Sequence, residues 1–289
     1  MKLVTYQLNG VEKIGAVTGA GVVDLTAVSP TMLGLIEMGA EGLAQARDVV
    51  AGAETAVSLA DITLLAPIPV PRRNLMCVGK NYLGHVEEIA LAQGLPVDVP
   101  ELPLIFNKAT TTVNAPYGDI PYFGHVSTHI DWEAELVVII GKQGRGIAKD
   151  DARSHVFGYT VLNDVTARDV QRKHKQFFVG KSFDGSAPLG PWIVTADEVA
   201  DPQNLRVTCH VNGVLKQDGN TQKMIFGVDE VIHQLSKAMT LLPGDIIATG
   251  TPDGVGVART PPEFLKPGDV VETEVEGIGK LRNVVVAVD

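Results

Sequence analysis

Cysteine is nearly absent. Cys77 and Cys209 are the only two in 289 residues, too few for a disulfide framework and in no metal-ligand spacing. A reducing compartment, and with it the cytoplasm, is the expectation. Positive charge is scarce as well: 24 Lys plus Arg stand against 34 Asp plus Glu, a net charge of −10, the wrong sign for gripping a phosphate backbone. Nucleic acid is therefore not an expected partner. The longest uncharged apolar stretches, such as 136–141, fall far short of the roughly 20 residues that cross a bilayer. Residues 1–15 are polar and charged where a signal peptide needs its apolar segment, so no membrane association is expected. Also missing are G-x-x-x-x-G-K-[ST], G-x-G-x-x-G, G-x-S-x-G and H-E-x-x-H, which removes the usual support for phosphate-loop, nicotinamide, serine-hydrolase and zincin chemistry. What remains has 45% apolar and 20% charged residues, ordinary globular values. The length fits one large domain, or a catalytic domain with a small companion.

The first 25 residues carry short strand-like runs (KLVTYQL, KIGAVT, GVVDL) broken by Asn-Gly and Gly-Ala-Gly, the punctuation of hairpins. Two helical patches follow, TMLGLIEMG and EGLAQARDVVAGA. Pro67, Pro69 and Pro71 then mark an extended connector, and a boundary is expected near Pro69. Beyond it β-rich pieces (LMCVG, LIFNK, AELVVIIG, FGYTVLNDV, LRVTCHVNG, DIIATG, VVETEV) are interrupted by helical ones (HVEEIALAQG, ARDVQRKHK, VDEVIHQLSKAM). Strands do not alternate strictly with helices, so an α+β domain with much antiparallel sheet fits better than a doubly wound one.

DWEAELVVIIG is the strongest chemical signal. Strand periodicity points Glu133 and Glu135 to one face and Trp132, Ala134 and Leu136 to the other. The apolar run that follows reads as buried, and two carboxylates at its entrance are costly unless a cation neutralises them. Taken alone, E-x-E is equally the solvated face of a strand. A third carboxylate, Asp164, follows the apolar strand FGYTVLN and could complete an all-oxygen set, although N-D-x-T is also common turn chemistry. Such donors favour Mg²⁺, Mn²⁺ or Ca²⁺ over Zn²⁺. His85 and Glu88 lie three residues apart on a helical pattern and share a face, which lets the carboxylate orient the imidazole as a general base. The other six histidines show no such partner spacing. Lys181, in GKSFDG, and the glycine-rich turn ATGTPDGVG could stabilise an anion or be ordinary loops. Lys108 in LIFNK is equally ambiguous.

Together these segments resemble the fumarylacetoacetate hydrolase family. The resemblance runs from about Pro69 to the C-terminus through seven ordered blocks: CVGKNYLGHVEE, PLIFNKA, DWEAELVVIIGK, GYTVLNDVTARDVQ, GKSFDGSAPLGPW, ATGTPDGVG and LKPGDVVETEVEGIGKLRN. It implies a mixed β-roll of α+β class over 69–289, preceded by a small N-terminal α/β domain over 1–68, and a homodimer. It implies a divalent ion, Mg²⁺ or Mn²⁺ with Ca²⁺ as a third candidate, held by Glu133, Glu135 and Asp164. His85, Glu88 and Lys181 take the catalytic positions, and Arg168, Gln171 and Thr251 the wall of the substrate pocket. The expected activity is metal-dependent hydrolysis of a C–C bond in an acylpyruvate or related 2,4-dioxo acid. The alternative is a 2-oxo-acid decarboxylase of the oxaloacetate type, or an isomerase or lyase, on the same site. A carboxylate-binding protein without turnover is disfavoured, because binding alone needs no base.

Overall fold

The computed structural model describes residues 1–288. Its N-terminal hairpin forms where Asn-Gly predicts it: Lys2–Leu8 and Val11–Thr18 pair antiparallel, with Asn9 and Gly10 at φ 52° and 79°, the doubly positive φ that a type I′ turn requires. Gly21–Asp24 adds a third strand. Helices Met32–Glu37 and Gly39–Ala51 follow, the first capped by the Thr31 hydroxyl, which accepts from Gly34 N.

These strands do not form a sheet of their own. Lys2 and Leu3 pair with Val194 and Ile193 of strand Ala187–Thr195, so one sheet continues across the Pro67–Pro71 connector. From that junction it runs through Val156–Asn163, Ala134–Ile140, Ile246–Ala248, Leu75–Gly79 and Leu104–Lys108. A second, five-stranded sheet contains Arg206–Val211, Val214–Asn220, Val270–Val275, Gly279–Ala287 and Ile120–Tyr122. The protein is of α+β class, as the strand-rich pattern predicts.

The run AELVVII is buried at every position because it has apolar layers on both sides. Leu136, Val138 and Ile140 pack with Val207, Cys209, Val271 and Leu281 of the second sheet, whereas Val137 and Ile139 pack with Leu35, Ile36 and Ala46 of the N-terminal helices. Burying one such side chain stabilises by about 1.5–3 kcal/mol, so this strand is a rigid base for whatever its ends carry. Helix Val228–Ser236 buries Val228, Val231, Ile232 and Leu235, the i, i+3, i+4, i+7 stripe of a helix laid on a core. Among the described residues, no helix is long and apolar enough to cross a membrane.

Candidate active site

Strand register assembles the acidic cluster. Ala134 pairs with Asn163 and Glu135 with Leu162, so in this antiparallel pair Glu133 falls beside Asp164, and Asp164 N donates to Glu133 O at 2.8 Å. Asn163 Oδ1 accepts from Glu133 N at 3.0 Å. Glu133, Glu135 and Asp164 are all buried, with carboxylate oxygens within 4.8 Å of one another. Trp132 points the other way, as alternation requires, and its indole donates to Gly254 O at 3.2 Å.

Three cations balance part of this charge. Lys181 Nζ lies 2.7 Å from both Glu133 Oε2 and Asp164 Oδ2. Arg168 reaches Asp131 Oδ2 at 2.8 Å and Glu133 Oε1 at 2.7 Å. Lys108, fully buried, donates to the carbonyls of Val165 and Lys181 and lies 2.8 Å from Asp164 Oδ1. Burial alone would raise Glu133, but Lys181 and Arg168 overcome it and hold the carboxyl at about 2. Burial would lower Lys181, yet Asp164 and Glu133 push it up. Glu135 has the opposite fate: burial first, then the charges of Asp164 and Glu133, lift it well above the carboxylate range. Its hydrogen bond from Gly250 N, at 2.8 Å, does not offset them.

With Asp131 included, four buried carboxylates face three cations. Glu135 has no ion pair among the described residues, whereas Glu133 and Asp164 are each met by two cations. A buried carboxyl without a cationic partner, in an all-oxygen set, is what a hard divalent cation would satisfy. The residues present fit such an ion.

The base stands across the same cavity. Helix Leu83–Gln93 starts at Tyr82 and stops at Gly94, at φ 65°, a left-handed cap that glycine adopts without strain. On its first turns His85 Nδ1 meets Glu88 Oε1 at 2.8 Å. A carboxylate oxygen only accepts, so Nδ1 donates and the lone pair is left on Nε2. Glu88 is fixed in turn by Gly254 N, which donates to Oε2 at 2.7 Å. The ATGTPDGVG turn thus holds both sides of the site, Glu135 through Gly250 and Glu88 through Gly254. Gly250 sits at φ 95°, and a Cβ there would lie 2.9 Å from Val78 O.

His85, Glu133, Glu135, Arg168, Gln171, Lys181 and Thr251 all line one cavity of about 730 Å³. Glu88 and Asp164 stand behind it. Thr251 is less free than its position suggests, since its hydroxyl donates to Ala134 O and accepts from Gln217 Nε2. Arg168 is likewise committed to carboxylates rather than open to a ligand. Lys181 ends a short helix, Phe178–Lys181, instead of lying in a loop. Sequence reasoning passed over Asp131, which accepts from Arg168 and from Gly256 N at 2.7 Å. The signal was there, two residues before Glu133 in DWE. Two of the remaining histidines serve structure: His155 Nδ1 bonds Lys142 O and His233 Nδ1 bonds Ile147 O.

Gly180 explains how Lys181 reaches the carboxylates. A Cβ at this position would stand 2.5 Å from Gln171 N and 2.6 Å from Gln171 Cα, atoms of helix Arg168–Lys173. Only a residue without a side chain lets the two helices approach this closely. Gly180→Ala should therefore destabilise the fold by about 1–3 kcal/mol, as overpacking does, and lower activity more than stability because Lys181 and Arg168 are displaced together. Thermal unfolding and turnover of the one variant measure both; unchanged values would contradict the close approach.

Residues 74–286 match the family described as the C-terminal domain of fumarylacetoacetate (FAA) hydrolase. An oxaloacetate tautomerase of Bacillus subtilis is 49% identical over 227 residues, 78% of this chain and 74% of that protein. A mitochondrial oxaloacetate tautomerase of Bos taurus is 46% identical over 274 residues, 93% of this chain and 85% of its own. In three dimensions, a maleylpyruvate hydrolase of Sphingobium sp. SYK-6, solved with manganese(II) and pyruvate, superposes with a TM-score of 0.81 at 30% identity over the whole of both chains. The match covers every strand and loop that builds the cavity: the chain belongs to the fumarylacetoacetate hydrolase family.

Proposed function

We propose that the protein interconverts the keto and enol forms of a 2-oxo acid of the oxaloacetate class. One observation carries the reading: the His85–Glu88 pair and the carboxylate–lysine cluster open on the same cavity. It is supported by the names of the relatives at 46–49% identity. His85 Nε2 would take the proton from C3 as the C3–H electron pair becomes the C2=C3 bond, and the 2-oxo oxygen would gain a proton. Glu88 keeps the imidazole turned and supports its positive charge. Lys181 would favour the developing oxyanion and supply a proton. Glu133, Glu135 and Asp164 would hold a divalent ion, Mg²⁺ or Mn²⁺ by the hardness of their oxygens, which when bound adds positive charge at the 2-oxo group.

The sequence by itself puts hydrolytic C–C cleavage first, and the likeness to the maleylpyruvate hydrolase keeps that as the second reading. Hydrolysis needs the same base plus a water to activate. The relatives of higher identity favour the reaction without water. Enol-oxaloacetate added to the protein with Mg²⁺ or Mn²⁺ should lose its ultraviolet absorbance well above the spontaneous rate. The acceleration should vanish with a chelator. Rapid cleavage of acylpyruvates with no effect on the enol would reverse the order of the two readings.

A further inference from the structure

Every carboxylate oxygen of Glu133 and Asp164 already has a cation beside it. Arg168 lies 2.7 Å from Glu133 Oε1 and Lys108 2.8 Å from Asp164 Oδ1, while the Lys181 ammonium sits 2.7 Å from both Glu133 Oε2 and Asp164 Oδ2. A divalent ion on this set meets three positive charges at close range, where repulsion in a buried site is strong. One of them has to move.

The three differ in what else holds them. Arg168 is pinned by Asp131 Oδ2 at 2.8 Å, and Asp131 is itself fixed by the N–H groups of Gly256 and Val257. Lys108 is fully buried and also donates to Val165 O, Lys181 O and Ser186 Oγ. Lys181 Nζ has only the two carboxylates as hydrogen-bond partners among the described residues, and its side chain lines the cavity. Lys181 is the one free to leave. Its present place also conflicts with its use, because an ammonium shared between two carboxylates is poorly set to serve a substrate oxyanion.

Strand Leu104–Lys108 supplies the place to go. Alternation puts Phe106 on the same face as Lys108, and its ring lines the cavity. Lys181 Nζ already stands over this ring, 5.1 Å from the centroid, in the outer part of the range where a ring face attracts a cation. Phe177 meets the Phe106 ring edge-on, with centroids 5.5 Å apart, which fixes how the face is presented. We infer that Phe106 is a positioning residue for Lys181: with a divalent ion on the acidic cluster, the ammonium leaves Glu133 and Asp164 and settles on the Phe106 ring, turned into the cavity. The inference rests on the cation site and on the role given to Lys181 above, and it adds an order of events in which the lysine becomes available to the substrate only after the ion has entered.

Calorimetric titration of Mg²⁺ into four metal-free variants and the wild type tests this. Lys181→Met should bind the ion about tenfold or more tightly than the wild type, because one repelling charge is gone. Phe106→Leu should bind it roughly two- to fivefold more weakly, the size of one cation–π contact, and Phe106→Tyr, which keeps the ring, should match the wild type. In the double variant, Phe106→Leu should add nothing to Lys181→Met, whereas a packing role for the ring would persist there. At saturating Mg²⁺, Phe106→Leu should lower kcat for enol-oxaloacetate several-fold with KM little changed, since the lysine acts on charge that develops during the reaction. The wild type gives a reading that needs no variant: acetic anhydride followed by peptide mapping should spare Lys181 in the metal-free protein and acetylate it with Mg²⁺ present, while exposed Lys142 reacts alike in both. A Lys181→Met protein that binds Mg²⁺ no more tightly than the wild type, a Phe106→Leu effect of equal size with and without Lys181, or a Lys181 amine equally reactive in both states overturns the inference. If the calorimetric cycle holds and the wild type does not turn over the enol, the tautomerase reading falls and the movement of Lys181 stands.

Discussion

Replacing Glu135 by glutamine should stabilise the metal-free protein and abolish its response to Mg²⁺. At this position the folded chain holds an acid whose charge it disfavours, through burial and the adjacent Asp164 and Glu133. The unfolded chain does not. Above the ordinary value of 4.5 the unfolded state therefore ionises first, and stability falls as pH rises toward the raised folded value. Glutamine keeps the shape and can still accept from Gly250 N, but it has no proton to lose. The metal-free variant should be more stable by about 1 kcal/mol or more at neutral pH, by the penalty for a buried polar group left unmatched. The gap should widen between acidic and neutral pH. In the wild type, Mg²⁺ at a hundredfold excess over its Kd adds about 2.7 kcal/mol; the variant should gain almost none of this and lose turnover. Thermal unfolding with and without Mg²⁺ at three pH values measures all of it. A Glu135→Gln protein with a full Mg²⁺ shift would remove Glu135 from the ligands.

That opposition between stability and site is why the acidic cluster was legible in the sequence. E-x-E at the mouth of an apolar strand conflicts with the burial around it, and such a conflict marks a site where folding and function want different residues. The third carboxylate was legible for a related reason, because it ends the next long apolar run. Register then made Ala134 and Asn163 neighbours, which alternation alone cannot specify. Lys108 shows the limit. The lysine of LIFNK is ambiguous as sequence, yet it is fully buried against Asp164 and two carbonyls. Its partners come from 57 and 73 residues away, and nothing local announces them.

The N-terminal strands make the same point for the fold. The prolines put an expected break near Pro69, and two residue pairs, Lys2–Val194 and Leu3–Ile193, join the first strand to the central sheet across it. Propensity describes each strand and is silent about its neighbour.

Replacing His85 by glutamine should separate the base from the cation site. Among the described residues the His85 side chain hydrogen-bonds none of the three carboxylates, and its partner is Glu88. The Mg²⁺-induced rise in stability should therefore remain at the wild-type size, in contrast to Glu135→Gln. Turnover of enol-oxaloacetate should fall by roughly a hundredfold to ten-thousandfold, the contribution of a positioned general base. The loss should be in kcat, with KM little changed, because glutamine fills similar space but its amide nitrogen has no basic lone pair with which to take up a proton. A second readout isolates the step: in D₂O the wild type should speed exchange of the C3 hydrogens of oxaloacetate, and His85→Gln should not. Glu88→Gln should lie between, since the imidazole remains but loses the carboxylate that orients it and supports its charge. If His85→Gln kept more than a tenth of kcat and still promoted C3 exchange, the proton would be moving through another group, and Lys181, which lines the same cavity, would be the one to replace next.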